Sequence, residues 1–172
     1  MKLRYAALSL LICVAASAAE SSKPSPALQA LNMFAGTWKC KGTQTMTGVE
    51  IPYTQTVTGK WTLDGHWLDV QVVQQKSASN PAPSNGRALM GWDAGSRTYV
   101  MAWVDNSGGY ENATSLGWQG DKISWEGVVH FGAMSPRGRD IFIKASVRKI
   151  IHTLELQQDG KWVEVMNETC TR

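Results

Sequence analysis

Two short segments constrain this chain more than any other feature: Gly36-Thr37-Trp38-Lys39-Cys40 near one end and Thr169-Cys170-Thr171-Arg172 at the other. Both read as strands. Paired antiparallel with Cys40 facing Cys170, they also set Trp38 opposite Arg172. One register would then close a disulfide and lay a guanidinium on an indole. It would also join the first and last strands of the fold, as a closed β-barrel requires.

Residues 1–19 lie outside that fold. Lys2 and Arg4 make a basic start, Ala6 to Val14 a short apolar run, and Ala16-Ser17-Ala18 a small-residue cleavage site, with Ala19 as an alternative end. This is the pattern of a secretory signal peptide, too short and wrongly flanked for a membrane anchor. Cys13 does not make it a lipoprotein signal, because Ile12 stands where a small residue is needed. Residues 20–25 follow as a polar linker and residues 26–172 as one domain. Cys40 and Cys170 remain after cleavage, and a secreted or periplasmic, oxidising setting favours their bridge. Two free buried thiols are the alternative. A metal pair is disfavoured, since no histidine has ligand spacing from either cysteine.

Of the formal charge of +3, Lys2 and Arg4 supply two units, so the remaining chain is close to neutral. It has no basic tract for nucleic acid and no acidic tail. No later run is apolar enough to span a bilayer.

Ser25-Pro26 reads as N-cap and first helical position. Leu28, Leu31 and Phe34 follow at three-residue spacing and Gly36 ends the run, which predicts one short amphipathic helix. The rest alternates in short runs broken by Gly and Asn/Asp, the pattern of an all-β meander. Its clearest hairpin centres on Asp64-Gly65, a type I′ signal. With Leu63 facing His66, the pairs Trp61/Leu68, Gly59/Val70 and Val57/Val72 share one face, and Lys60/Asp69 and Thr58/Gln71 the other. Further strands are expected at 87–93, 98–105, 110–118, 122–130, 139–149 and 150–158, and a last one after Asp159-Gly160. In the last hairpin a two-residue turn would put Trp162, Met166 and Cys170 on the same face as Glu155, Glu164 and Glu168. Either a bulge switches faces or the interior holds carboxylates, and the bulge is favoured. The expectation is an all-β, single antiparallel up-and-down β-barrel of about ten strands, preceded by one short helix, with closure removing the exposed edges.

Several segments resemble a known family: Leu31-Asn32-Met33-Phe34-Ala35-Gly36-Thr37-Trp38, Leu63-Asp64-Gly65-His66-Trp67-Leu68, and Gly91-Trp92-Asp93 followed by Tyr99, Trp103, Asp105, Ser107 and Gly108. In order and spacing they are similar to the family of proteins of unknown function numbered 1579, from about Ala27 to Arg172, although that family usually has tyrosine at the position of Trp92. The resemblance implies a calycin-type barrel and no established activity. In calycins, such as lipocalins and fatty-acid-binding proteins, a Gly-x-Trp on the first strand lies under an arginine or lysine from the far end of the chain. Gly36, Trp38 and Arg172 match that pattern, which implies a structural role in closing the barrel base.

The tryptophans suggest an aromatic-lined cavity for a small apolar or amphipathic molecule. Trp61, Met90, Trp92, Met101 and Trp103 are the candidate ligand-binding residues, because they fall on alternating faces of central strands and methionine adapts to irregular ligands. Core packing is the competing role for any one tryptophan. The histidines of the domain, His66, His130 and His152, lack metal-ligand spacing, so no metal site is expected. Nitrobindin-like barrels also start with Gly-x-Trp and use a late histidine on haem iron, but the surroundings of His152 do not match their pattern, and no cofactor is expected. There is no Gly-x-Ser-x-Gly. Glu155, Glu164 and Glu168 read as a solvated strand face rather than as an acid–base set, and no catalytic residue is assigned. Arg137 and Arg139 read as exposed, and the sequons at Asn112 and Asn167 fall inside strands. Three functions follow: a secreted or periplasmic binding barrel, an enzyme using an inward carboxylate or histidine, and a solid barrel whose loops bind another envelope protein.

Overall fold

A computed structural model describes residues 23–46 and 48–172. The proposed signal segment 1–19 and the first half of the linker lie outside the described residues. The strands are β1 (Gly36–Met46), β2 (Val49–Thr62), β3 (Trp67–Gln74), β4 (Asn85–Asp93), β5 (Thr98–Asp105), β6 (Tyr110–Ser115), β7 (Lys122–His130), β8 (Arg137–Ser146), β9 (Lys149–Gln158) and β10 (Lys161–Thr171). Each pairs antiparallel with its sequence neighbours, and β1 pairs with β10 to close the barrel. Among the described residues no helix is long and apolar enough to cross a membrane.

The seam has the register expected from sequence. Cys40 stands opposite Cys170 and the two form a disulfide. The Arg172 guanidinium lies 3.9 Å from the centroid of the Trp38 ring. The Asp64-Gly65 hairpin also has its expected register, with Trp61 facing Leu68, Gly59 facing Val70 and Lys60 facing Asp69. Asp64 and Gly65 both adopt positive φ, as a type I′ turn demands.

The segment before β1 differs from expectation. Pro26–Phe34, expected as a short amphipathic helix, is a 3-10 helix. The cause is legible in the spacing: Leu28, Leu31 and Phe34 repeat every third residue, the 3-10 period, and all three are buried. The same period brings the carbonyls of Ala27, Ala30 and Met33 into line. They accept from the Tyr99 hydroxyl at 2.9 Å, the Trp118 indole at 2.8 Å and Arg172 Nη2 at 2.8 Å. Ser25 caps the helix through its side chain, as expected.

This helix plugs one end of the barrel, here called the base. Its apolar face packs on Trp38, Leu68, Ile123 and Trp125, whose exposure is at most 2%. Each such side chain contributes about 1.5–3 kcal/mol through burial. β6 stops at Ser115, short of the expected 118, because Gly117 takes φ +91° beneath the Tyr99 ring and turns the chain toward the plug.

β10 contains the favoured bulge. Glu164 pairs with Glu155 and Met166 with Leu154, so Val165 is the extra residue. The bulge turns Trp162 and Glu164 outward, where Trp162 stacks under Arg139 and Arg139 pairs with Glu155. It leaves Met166, Glu168 and Cys170 facing inward. The two alternatives of the sequence reading therefore both occur.

Candidate functional site

Above the base, the barrel interior changes character. The inward positions become Gly42, Tyr53, Gln55, Gly86, Trp103, Glu111, Gly127, Gly138, Asp140, His152 and Glu168. At their centre, His152 donates or accepts at both ring nitrogens: Nε2 lies 2.8 Å from Asp140 Oδ1 and Nδ1 lies 3.1 Å from Glu168 Oε1. Glu168 then accepts from the Tyr53 hydroxyl at 3.2 Å and from Gln55 Nε2 at 2.8 and 3.0 Å. On the other side Asp140 shares a hydrogen bond with Glu111. One polar chain, Tyr53–Glu168–His152–Asp140–Glu111, thus runs across the barrel from β2 to β6.

Glycines make room for it. Glu168 on β10 must cross β1 to reach β2, and the β1 residue between Glu168 and Tyr53 is Gly42. A Cβ on Gly42 would overlap Glu168. Glu111 on β6 must likewise cross β7 to reach β8, where Gly127 and Gly138 face each other. A Cβ on Gly127 would sit 2.9 Å from Glu111 Oε1 and one on Gly138 3.5 Å from it. Trp103, the cross-strand partner of Glu111, lies flat over Gly86 in the same way. His152 is steadied from below by its cross-strand partner Phe142, with ring centroids 3.9 Å apart. At the far end Gln74 donates to Gln44 and accepts from Asn80, tying down the loop between β3 and β4.

The electrostatics follow from this enclosure. Burial alone would lower the His152 pKa, but hydrogen bonds and charge from Asp140 and Glu168 outweigh it and raise it to about 9. His152 is therefore an imidazolium between two carboxyl groups at neutral pH. Burial, then the charge and hydrogen bond of Asp140, pushes Glu111 up to about 8, so it holds its proton. Burial and the neighbouring Glu168 drive the Tyr53 phenol far above its ordinary range. Glu111 Oε1 is buried and has no hydrogen-bond partner among the described residues, and neither do the indole N–H groups of Trp38 and Trp125.

Residues 23–172 match a family profile described as Protein of unknown function (DUF1579). The chain belongs to the DUF1579 family. Among solved structures this DUF1579 barrel resembles that of Rv2717c from M. tuberculosis, with a TM-score of 0.66, 15% identity, and coverage of 87% of this chain and 98% of that one. At such identity the likeness shows the fold alone, and it is consistent with a calycin-type barrel. Comparison with curated proteins finds no match.

The ligand residues expected from sequence distribute unevenly over this DUF1579 fold. Met90 and Met101 face each other inside the packed core. Trp92 meets Tyr99 edge-on near the base, and Trp61 donates to Asn32 of the plug. Of the five, Trp103 alone stands beside the polar chain. The structural residues lie at the base: Gly36 takes φ +92° and Arg172 covers Trp38. The reading of Glu168 as part of a solvated face is corrected, because it shares the inward parity of Cys170 and is 2% exposed. Glu155 and Glu164 do face outward. Sequence reasoning does not bring Glu111, Asp140 and His152 together. Mid-strand glycines next to acidic strands are the available signal.

Glu168 also lies near Cys40 and Cys170. Those sulfurs are bonded to each other, so no thiolate remains to hold a metal. His152 does not suit haem iron, because both ring nitrogens are occupied and the ring is stacked on Phe142. Two surface hollows lie elsewhere. One of about 850 Å³ lies against outward lysines and threonines of β1, β2 and β10, and one of about 440 Å³ lies beside the plug.

Proposed function

We propose that this DUF1579 barrel binds a small amphipathic molecule in its upper interior. The polar end would meet the Tyr53–Glu168–His152–Asp140–Glu111 chain and the apolar body would lie on Trp103, Leu154 and Met166. One observation carries the reading. The His152 and Asp140 side chains keep 12% and 13% exposure although they face inside a closed barrel, whereas Leu31, Leu68, Ile123 and Trp125 at the base keep none. The upper interior thus admits water, and a buried acid–imidazole chain beside accessible space is a functional-site pattern. Charged groups inside a barrel are otherwise costly and better replaced by apolar ones for stability alone.

Native mass spectrometry of protein purified from its own host tests this directly, with a retained small molecule as the expected result. An environment-sensitive hydrophobic dye should bind the folded chain and quench tryptophan emission. Trp103→Ala should weaken that binding by about tenfold, or 1.4 kcal/mol. Absence of dye binding in a folded wild type would refute the chamber and favour a solid interaction module.

Acid–base catalysis is the second reading, favoured by Glu111 and His152 titrating within about two units of neutrality. It requires that a recovered ligand change mass on incubation with the protein; a binding barrel leaves it intact. Export belongs to the same proposal. Its supports are the basic and apolar pattern of residues 1–19 and the disulfide. N-terminal sequencing of the mature protein should start near residue 20.

A further inference from the structure

We propose that the ligand of this chamber is a cation, an ammonium on an apolar body, seated against the unpartnered Oε1 of Glu111 beside Asp140. This rests on the chamber proposed above and assigns its ligand class.

The charge inventory of the interior leads there. The inward titratable groups are Tyr53 on β2, Asp105 on β5, Glu111 on β6, Asp140 on β8, His152 on β9 and Glu168 on β10. β1, β3, β4 and β7 contribute none to this level. Three carboxyl groups, Glu111, Asp140 and Glu168, therefore gather about one imidazole, with Asp105 turned into its own loop at the strand end, and among the described residues no lysine or arginine joins them. The nearest arginines are engaged outside, Arg87 with Asp69, Arg137 with Glu126 and Arg139 with Glu155.

Within the polar chain an anionic ligand would find every donor already committed. Both His152 nitrogens are occupied by carboxylates, and Gln55 Nε2 and the Tyr53 hydroxyl are committed to Glu168. Glu168 is saturated by those same partners. Asp105 is held by Ser107 and by the Gly109 backbone. What remains open is an acceptor, the buried Oε1 of Glu111 over the Gly127–Gly138 pair.

That carboxyl keeps its proton because burial and Asp140 oppose a further negative charge there. An ammonium removes the opposition. Its N–H groups donate to Glu111 Oε1 and toward Asp140, while the O–H bond of Glu111 breaks and the proton leaves to solvent. One positive charge enters and one leaves, so the total charge of the chamber is unchanged. The adjacent Trp103 ring offers a cation a π-face and an apolar wall.

Octylamine, octanol and octanoate share one apolar body and differ in the head. Each is titrated calorimetrically into the full, disulfide-intact chain at pH 7, in two buffers of different ionisation enthalpy to count protons. Octylamine should bind at least about tenfold tighter than octanol and release close to one proton, the release fading above pH 9. Glu111→Gln should abolish the release and bring the amine down to the affinity of the alcohol. Equal binding of amine and alcohol without proton release, or tightest binding of octanoate, would overturn the cation while leaving the chamber standing. Binding of none of the three would remove the chamber itself. The proton count on the wild type decides the matter even if the variant does not fold.

Discussion

Raising the pH should weaken this barrel across a range where most proteins are indifferent, and Glu111→Gln should remove much of that weakness. Folded Glu111 keeps its proton up to about pH 8, whereas an unfolded glutamate loses it near pH 4.3. Between these values the folded state carries the extra proton, so stability falls as pH rises. One proton corresponds to about 1.4 kcal/mol per pH unit, or on the order of 4 kcal/mol between pH 5 and 8. His152 acts in the same direction. Its folded pKa of about 9 exceeds the unfolded value near 6.5, so its contribution is complete below pH 6.5 and lost as pH climbs through 9. Where the windows overlap, between about pH 6.5 and 8, the slope approaches roughly 3 kcal/mol per unit. A glutamine amide in place of the Glu111 carboxyl is neutral at every pH and can still donate to Asp140. The variant should match wild type within about 1 kcal/mol at pH 5 and exceed it by about 4 kcal/mol at pH 8.5. Urea denaturation with linear extrapolation at pH 5, 7 and 8.5 measures both. A wild-type midpoint that holds level or rises between pH 5 and 8 would refute the reasoning, as would parallel curves for the two proteins.

Arg172→Ala should cost about 1–2 kcal/mol through the lost stack on Trp38 and the lost bond to Met33, read from the denaturation midpoint. Non-reducing peptide mapping should recover Cys40 linked to Cys170, and replacing both by alanine should lower stability by about 2–4 kcal/mol. Gly86→Ala should displace the Trp103 ring, costing about 1–3 kcal/mol and shifting tryptophan emission; an unchanged spectrum would place that ring elsewhere.

The seam is readable from sequence because a disulfide and a cation–π pair obey one register, and side-chain alternation then fixes which residues face inward. The first hairpin is readable for the same reason, since its turn residues demand one geometry. The plug is half readable. Leu28, Leu31 and Phe34 show an apolar face and so a helix, but the type of helix lies in their three-residue period, a 3-10 signature. The polar chain escapes because its members come from five strands spread over residues 53 to 168, and acidic residues in strands ordinarily face water. Glu168 is nevertheless within reach. It lies two residues from Cys170, so the register that buries the cysteine buries the glutamate too. The Val165 bulge hides this by reversing parity only at the start of β10. Trp61, Trp92, Met90 and Met101 share their faces with the core, and no local pattern separates a side chain that fills a barrel from one that lines a space within it.

The β1–β10 seam makes closure an all-or-none event. Until Lys161–Thr171 is available, nine strands form an open ribbon with two unpaired edges, and β1 has nothing to pair with on its outer side. Cys40 must find a partner 130 residues away, a slow, entropy-limited search compared with forming any of the hairpins. A chain interrupted anywhere before β10 is therefore not a smaller barrel. It is a sticky sheet with a polar chain cut at Glu168, and quality control of this protein reduces to whether its last strand arrives.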